Sequence, residues 1–120
     1  MLTLPIKKKW FDMIKSGEKK EEYREIKPYY DKCLGKAVIG FPFTKEIVEN
    51  FESIKSYDAN QFKDIEIVFR NGYQADSPKI KCKCKLRVGQ GKEEWGAKKG
   101  KEYYVLEILE IVGGEDESTR

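Results

Sequence analysis

The clearest pattern in the chain is an alternation of apolar and basic residues between positions 79 and 88. Lys or Arg takes every odd position of this segment, and the even positions are apolar: Ile80, Cys82, Cys84, Leu86 and Val88. Side chains along a strand point alternately to its two faces. The segment is therefore predicted to be a long strand with one buried face and one basic face.

Two further strands are predicted in the second half of the chain. Residues 64–70 repeat the apolar and polar alternation, and Asn71-Gly72 directly afterwards is typical of a two-residue hairpin turn. Residues 102–112 form the last predicted strand, which follows a glycine-rich loop over residues 89–100. Disorder is predicted from residue 113 onward.

A period of about 3.6 residues predicts the first helix. Its apolar stripe falls at i, i+4, i+7 and i+8, which are Ile6, Trp10, Met13 and Ile14. A short strand or lead-in over residues 3–5 precedes this helix, and Gly17 ends it. Residues 19–26 then lie between this glycine and Pro28, and these eight residues are predicted to be a strand.

Two more helices are predicted between residues 28 and 54. Pro28 begins the first of them, which ends at Gly35. Residues 37–43 are apolar and are interpreted as a buried strand or an irregular segment. Thr44 is the predicted N-cap of the second helix, whose apolar face comprises Ile47, Val48, Phe51 and Ile54.

These elements together predict one α+β domain over residues 1–114, followed by a disordered acidic tail over residues 115–120. Short turns between strands, with the helices near the front of the chain, favour a mixed, mostly antiparallel sheet over a doubly wound one. We expect a five- or six-stranded, partly closed β-barrel with two or three flanking helices.

Charge and composition restrict the possible functions. The net charge is only +3, but residues 76–101 hold nine basic and three acidic residues. This local excess favours a polyanionic ligand, with a solvated lysine-rich surface as the alternative. The chain has no histidine, which excludes Ser-His and Cys-His nucleophile systems and removes the commonest zinc ligand. No metal and no cofactor are predicted.

Cysteine usage and hydropathy bear on the location of the protein. Cys82 and Cys84 would project from the same side of one strand, which is a poor geometry for a disulfide, and Cys33 would remain unpaired. Free thiols indicate a reducing compartment. No apolar run approaches the roughly 20 residues that cross a bilayer, and the N-terminus lacks the order of a secretory signal. We therefore expect a cytoplasmic protein without a membrane partner.

The segment after the first predicted helix carries the spacing Gly-x-Lys-x-x-Glu-x-Arg, formed by Gly17, Lys19, Glu22 and Arg24. This spacing resembles the signature of the ASCH domain, a family of small β-barrel proteins in the PUA-like superfamily. Further segments look like the bacterial and phage branch of that family. The similarity covers most of the chain apart from residues 40–63 and the tail, and its segments are residues 4–29, 69–73 and 94–104.

The resemblance implies a cleft beside the first helix that binds RNA, a nucleotide or a nucleoside. Lys19, Glu22 and Arg24 are its expected ligand-binding residues: Arg24 offers a planar fork of donors, Glu22 can accept from an amino group, and Lys19 adds a compact charge. The alternative for these three is a surface ion-pair network. If the basic face of residues 79–87 borders the cleft it can follow a phosphate backbone, and otherwise it guards the sheet against aggregation.

Four residues outside the signature form a second group of candidate site residues. Arg70 and Glu94 are candidate ligand-binding residues. Trp95 and Tyr73 are candidates for stacking on a base, although a tryptophan in a glycine-rich loop also fits a small satellite core. Two functions are alternatives to RNA or nucleotide binding. One is an amidohydrolase, and the other is a protein-binding adaptor that uses the tail and the lysine face.

The amidohydrolase alternative also comes from the resemblance. Some minimal members of the family remove the acyl group from N4-acetylcytidine without a metal, with a catalytic lysine that matches Lys19 and a glutamate that matches Glu94. The family's threonine is replaced here by Glu22. A lysine acts as a base or nucleophile only when burial or neighbouring cations lower its pKa, and Glu22 opposes that effect.

Overall fold

The computed structural model describes residues 1–50 and 62–114. In this part of the chain the strands are β1 (Leu2–Ile6), β2 (Glu21–Arg24), β3 (Ile65–Asn71), β4 (Lys79–Gln90) and β5 (Glu102–Gly114). The helices are α1 (Lys8–Lys15), α2 (Pro28–Ile39) and α3 (Lys45–Glu49), and a short 3-10 helix covers Glu93–Trp95.

The five strands form one mixed sheet in the order β1-β3-β4-β5-β2. β1 runs parallel to β3, and the other neighbouring pairs are antiparallel. The sheet curls into a partly closed barrel with three flanking helices, so the predicted α+β architecture is confirmed. β1 and β2 are the two edge strands, and the opening of the barrel lies between them.

The core lies on the face of the sheet that the helices cover. The alternation of β4 is confirmed, because Ile80, Cys82, Cys84 and Leu86 are buried there while the basic residues point to the opposite, outer face. Burial in this apolar setting raises the pKa of the Cys82 thiol to about 12. A second, smaller cluster consists of Ala97, Tyr103 and Val105 with Tyr23 against them. None of the described helices is long and apolar enough to span a membrane.

The N-terminal elements differ from their prediction. Ile6 belongs to β1, where it pairs with Asn71 of β3, and α1 begins only at Lys8. Assigning Ile6 to the helix stripe was therefore wrong, because the parallel ladder holds it in the strand. Phe11, which the predicted stripe omitted, is buried in the core with Ile14.

The second helix does not end at Gly35. α2 continues to Ile39 and ends at Gly40, whose φ of +87° suits the left-handed C-terminal position. The strand or irregular segment predicted from residue 37 is therefore wrong over residues 37–39. Gly35 serves close packing instead, because a Cβ atom there would lie 2.3 Å from the backbone nitrogen of Phe43.

Replacing Gly35 with Ala should therefore destabilise the protein, although alanine is the better helix former by about 1 kcal/mol. The added methyl group would meet backbone atoms, which cannot rotate away as a side chain does. We expect the free energy of unfolding to fall by about 1–3 kcal/mol, measured by urea denaturation. Lys36→Ala at the next, exposed position is the control and should stay within about 0.5 kcal/mol of the parent. A Gly35→Ala protein as stable as the parent would contradict this packing.

The connection between β3 and β4 is not the predicted two-residue hairpin turn. Asn71 is the last residue of β3, and its N–H donates to the carbonyl of Pro78 across a connection of residues 72–78. A type I′ turn needs a positive φ at both central residues, and of the pair Asn71-Gly72 only the glycine has one. Pairing of Asn71 with β1 takes precedence over the local turn preference.

The predicted third helix and the predicted tail both extend beyond the residues that the structure describes. Thr44 caps α3 as predicted, since its Oγ1 accepts a hydrogen bond from the Ile47 N–H at 3.2 Å. Phe51 and Ile54 of the predicted helix, and the predicted tail over residues 115–120, lie outside the described residues. Gly113 and Gly114, predicted to be disordered, instead pair with Lys81 and Ile80 of β4.

Candidate functional site

Arg24 bridges the two edge strands at the opening of the barrel. It lies at the end of β2, and its Nη2 donates to the backbone carbonyl of Pro5 in β1 at 2.9 Å. Its Nη1 donates to the hydroxyl of Tyr30 in α2 at 3.1 Å. One guanidinium group thus connects β2, β1 and α2 at a place where no backbone ladder joins them.

Glu22 lies between two cations beneath this bridge. Its side chain is on the same face of β2 as Arg24, and its Oε2 accepts from Arg24 Nη2 at 2.7 Å. Its Oε1 lies 3.3 Å from the ammonium nitrogen of Lys19. Glu22 is 6% exposed, so its carboxylate stabilises two cations that have little contact with water.

Lys19 is the most deeply buried member of the signature, at 1% exposure. Its Nζ donates to the backbone carbonyl of Trp95 at 2.7 Å and lies 4.9 Å from the ring centroids of Trp10 and of Tyr23. Burial lowers the pKa of Lys19, and the charge of Glu22 opposes that effect. The two aromatic faces and the carbonyl replace the water that the ammonium group has lost.

The three signature residues therefore form one buried cluster, which we call the seam cluster: Lys19, Glu22 and Arg24. They form an ion-pair network, as the alternative to ligand binding predicted, but this network is buried and does not lie on the surface. Within the described residues Arg24 uses three of its five N–H groups, and its buried Nε has no acceptor. One Nη1–H and the Nε–H of Arg24 thus have no described acceptor, and the Nε itself is enclosed.

A cleft of about 310 Å³ lies over the seam cluster. Glu22 and Arg24 belong to its lining, and Pro5, Ile6 and Glu25 complete the wall between the two edge strands. Its other lining residues are aromatic or basic: Trp10, Tyr23, Tyr30, Tyr73, Lys7 and Lys27. This volume is at the lower end of the roughly 300–1,000 Å³ of ligand pockets and suits a single nucleobase or nucleoside.

A larger recess of about 700 Å³ is a weaker candidate. It lies beside Cys33 and Lys36 and extends to residues 63–66. The described residues that line it include no aromatic side chain and no member of the seam cluster. The cleft at the barrel opening is therefore the better candidate site, because it joins stacking surfaces to oriented charges.

The remaining predicted site residues are not all gathered here. Tyr73 is on the rim of the cleft and is 84% exposed. Arg70 does not line the cleft, and its Nε donates to the carbonyl of Gly72 at 3.1 Å. Glu94 is exposed in the 3-10 helix and does not line the cleft either.

Trp95 contributes to the site through its backbone and not through its ring. Its backbone carbonyl holds Lys19, whereas its ring lies 4.6 Å below the ammonium nitrogen of Lys92 and does not line the cleft. Of the aromatic residues that do line it, Tyr73 was predicted to stack on a base, whereas Trp10, Tyr23 and Tyr30 were not. Trp10 was placed in the apolar stripe of the first helix.

Comparison with models of known families, with curated proteins and with solved structures finds no match to this chain. Among the described residues no group of three or more Cys, Asp or Glu side chains is placed to hold a metal ion.

Proposed function

We propose that this protein binds RNA or a nucleotide by accepting one base into the cleft over the seam cluster. The observation that carries this proposal is a buried Glu22–Arg24 pair beneath a cleft that has the size of one nucleoside and aromatic walls. The resemblance of the Gly-x-Lys-x-x-Glu-x-Arg segment to the ASCH signature supports the same ligand class.

The chemistry of the cleft suits a nucleotide in each of its parts. Aromatic faces stack on any base and contribute about 1–3 kcal/mol for each stacked base. Arg24 and Glu22 supply a donor and an acceptor for the base edge, and their mutual contact at 2.7 Å holds both in place before the ligand arrives. Lys7 and Lys27 are exposed on the rim, where they can contact a phosphate group.

Tyr73→Ala tests the proposal without disturbing the fold, because this side chain is 84% exposed. Loss of a stacking ring should weaken nucleotide binding about 5- to 150-fold, which corresponds to about 1–3 kcal/mol. We would measure binding of each of the four ribonucleoside 5′-monophosphates by calorimetry. Phe41→Ala, which removes an exposed ring that does not line the cleft, should bind like the parent.

Two outcomes would overturn the proposed function. The first is that none of the four nucleotides, and no RNA, binds the parent protein at millimolar concentration. The second is that Tyr73→Ala and Phe41→Ala bind nucleotides equally well, since the cleft would then not be the binding site.

Hydrolysis of N4-acylated cytidine is the second candidate. One observation favours it, namely that burial lowers the pKa of Lys19, as a lysine base or nucleophile requires. Against it, the Lys19 side chain is fully enclosed and Glu94 does not line the cleft. Incubation with N4-acetylcytidine, followed by chromatography for cytidine, tests this candidate with Lys19→Met as the inactive control. Absence of cytidine would eliminate it.

A further inference from the structure

The last part of β5 has an unpaired edge. β2 pairs with β5 only as far as Glu107, and just beyond this ladder the N–H of Ile108 donates to the carbonyl of Lys20 at 2.8 Å. Over residues 109–114, which we call the free edge, β4 is the strand beside β5 within the described residues. The backbone groups on the other side of the free edge have no strand partner in the described part of the chain.

Apolar side chains are exposed along the free edge. The exposed fraction is 48% for Leu109, 39% for Ile111 and 38% for Val112. Leu109 and Val112 are the extra residues at the two shifts of register between β4 and β5, so neither lies opposite a residue of β4. Exposed large apolar side chains on an unpaired strand edge are typical of an interaction surface.

The other two edges of the sheet carry protection that the free edge lacks. Pro5 in β1 cannot donate a ladder hydrogen bond, and Arg24 in β2 bridges to β1 at the opening of the barrel. Edge strands are commonly guarded by lysine, proline or inward-pointing charges. The free edge holds one charged residue, Glu110, and neither lysine nor proline. Its register shifts twist the strand, but the residues that they push outward are apolar.

A second copy of the same edge is a well-matched partner. A two-fold antiparallel pair places one residue opposite its own copy. A pair centred on Ile111 places Leu109 opposite Gly113, where an added Cβ atom would meet no described atom within 4 Å. It also places Glu110 opposite Val112, whereas a pair centred on Glu110 would bring two carboxylates face to face. The register centred on Ile111 therefore includes every exposed apolar residue of the edge and avoids like charges.

Charges at the ends of this pairing are complementary. With Ile111 on the two-fold axis, Gly114 of one copy lies opposite Ile108 of the other, beside Lys20. The chain continues beyond Gly114 with residues 115–117, all of which are acidic. Lys20 is exposed and has no carboxylate within ion-pair distance among the described residues. An acidic segment of one copy is thus brought to a cation of the other.

We propose that two copies of this protein form a two-fold dimer, in which residues 109–113 of each β5 pair antiparallel about Ile111. The two five-stranded sheets then form one continuous sheet across the axis. None of these five residues, all of which the structure describes, lines the cleft at the opening of the barrel. The inference therefore does not depend on the proposed function.

Sedimentation velocity over a range of concentrations tests the dimer. We expect the parent to show a reversible equilibrium between monomer and dimer. Ile111→Lys sets two ammonium groups opposite each other and should weaken association about tenfold or more, and Ile111→Glu should do the same with two carboxylates. An equimolar mixture of the two variants should associate about as tightly as the parent, because opposite charges then face each other across the axis.

Two further variants make the test specific. Phe41→Lys introduces the same charge at an exposed ring outside β5 and should dimerise like the parent. Lys20→Glu should weaken association about two- to fivefold, because it repels the acidic segment of the second copy. Hydrogen exchange provides an independent measurement: amides of residues 109–113 should exchange more slowly above the dissociation constant than below it, and those of β1 should not change.

The possible outcomes are distinct. A parent that stays monomeric at millimolar concentration would overturn the dimer, and so would equal effects of Ile111→Lys and Phe41→Lys. A mixture of Ile111→Lys and Ile111→Glu that associates no better than either variant alone would overturn the register about Ile111. Thermal unfolding of each variant, together with recovery in the mixture, shows that a lost association does not reflect a lost fold.

Discussion

Glu22→Gln should lower the free energy of unfolding by about 3–5 kcal/mol at pH 7, because it leaves two buried cations without their shared carboxylate. The substitution keeps the shape of the side chain, so the loss reports charge rather than packing. Lys19 Nζ lies 3.3 Å from one carboxylate oxygen and Arg24 Nη2 lies 2.7 Å from the other. Urea denaturation measures the difference, and the exposed Asp12→Asn is the control, with an expected loss of about 0.5 kcal/mol or less.

The same variant should regain stability as the pH rises. Burial lowers the pKa of Lys19, so between that pKa and the ordinary value of 10.5 the unfolded chain binds more protons than the folded one. Stability then increases with pH over this interval. In Glu22→Gln the opposing carboxylate is gone, so the pKa of Lys19 falls further and its contribution to stability begins to rise at lower pH.

A double variant tests the stated cause. Lys19→Met/Glu22→Gln removes one of the two uncompensated cations and should be more stable than Glu22→Gln alone at pH 7. If the double variant were less stable by the sum of both single losses, the two residues would contribute independently. The charge coupling inferred from their distance would then be wrong.

Elements with a strong local period could be predicted from the sequence. The alternation over β4 fixes both its existence and its buried face, because a shift of one residue would bury five cations. The ends of the elements were harder to predict, since they depend on contacts between distant segments. Gly35 has the appearance of a helix stop, but its role is set by the backbone of Phe43, and Asn71-Gly72 has the appearance of a hairpin that β1 prevents by pairing with Asn71.

The candidate site likewise has features that could be predicted from the sequence and contacts that could not. That Lys19, Glu22 and Arg24 would come together could be expected from the spacing and from the family it resembles. The contacts of Arg24 with the Pro5 carbonyl and of Lys19 with the Trp95 carbonyl could not be predicted. Every residue has a carbonyl group, so residue identity does not reveal which one is used. The tertiary path of the backbone decides such contacts.

The seam cluster has a structural role that affects every test of binding. Its residues connect elements that the sheet leaves apart, and two of them also form part of the cleft lining. A substitution in the cluster therefore changes stability and the cleft together. Exposed residues such as Tyr73 report binding alone, which is why the binding tests are built on residues outside the cluster.

Arg24→Lys should cost about 2–5 kcal/mol of unfolding free energy even though it keeps the positive charge. An ammonium group on a shorter stem cannot reach the Pro5 carbonyl, the Tyr30 hydroxyl and Glu22 at once. Each partner left without a donor costs about 1–3 kcal/mol where it is shielded from water. Urea denaturation measures the loss, and hydrogen exchange of the β1 and β2 amides should become faster because the edge strands are no longer bridged.

Arg87→Lys is the matched control, since Arg87 also joins two strands but does so through carboxylates at a side chain that is 31% exposed. A lysine can replace most of that interaction, and exposed ion pairs contribute only about 0–1 kcal/mol. We therefore expect a loss of about 1 kcal/mol or less for Arg87→Lys and unchanged exchange at β1. Equal losses in the two variants would mean that charge alone is required at position 24, and that the guanidinium bridge from β2 to β1 does not close the barrel.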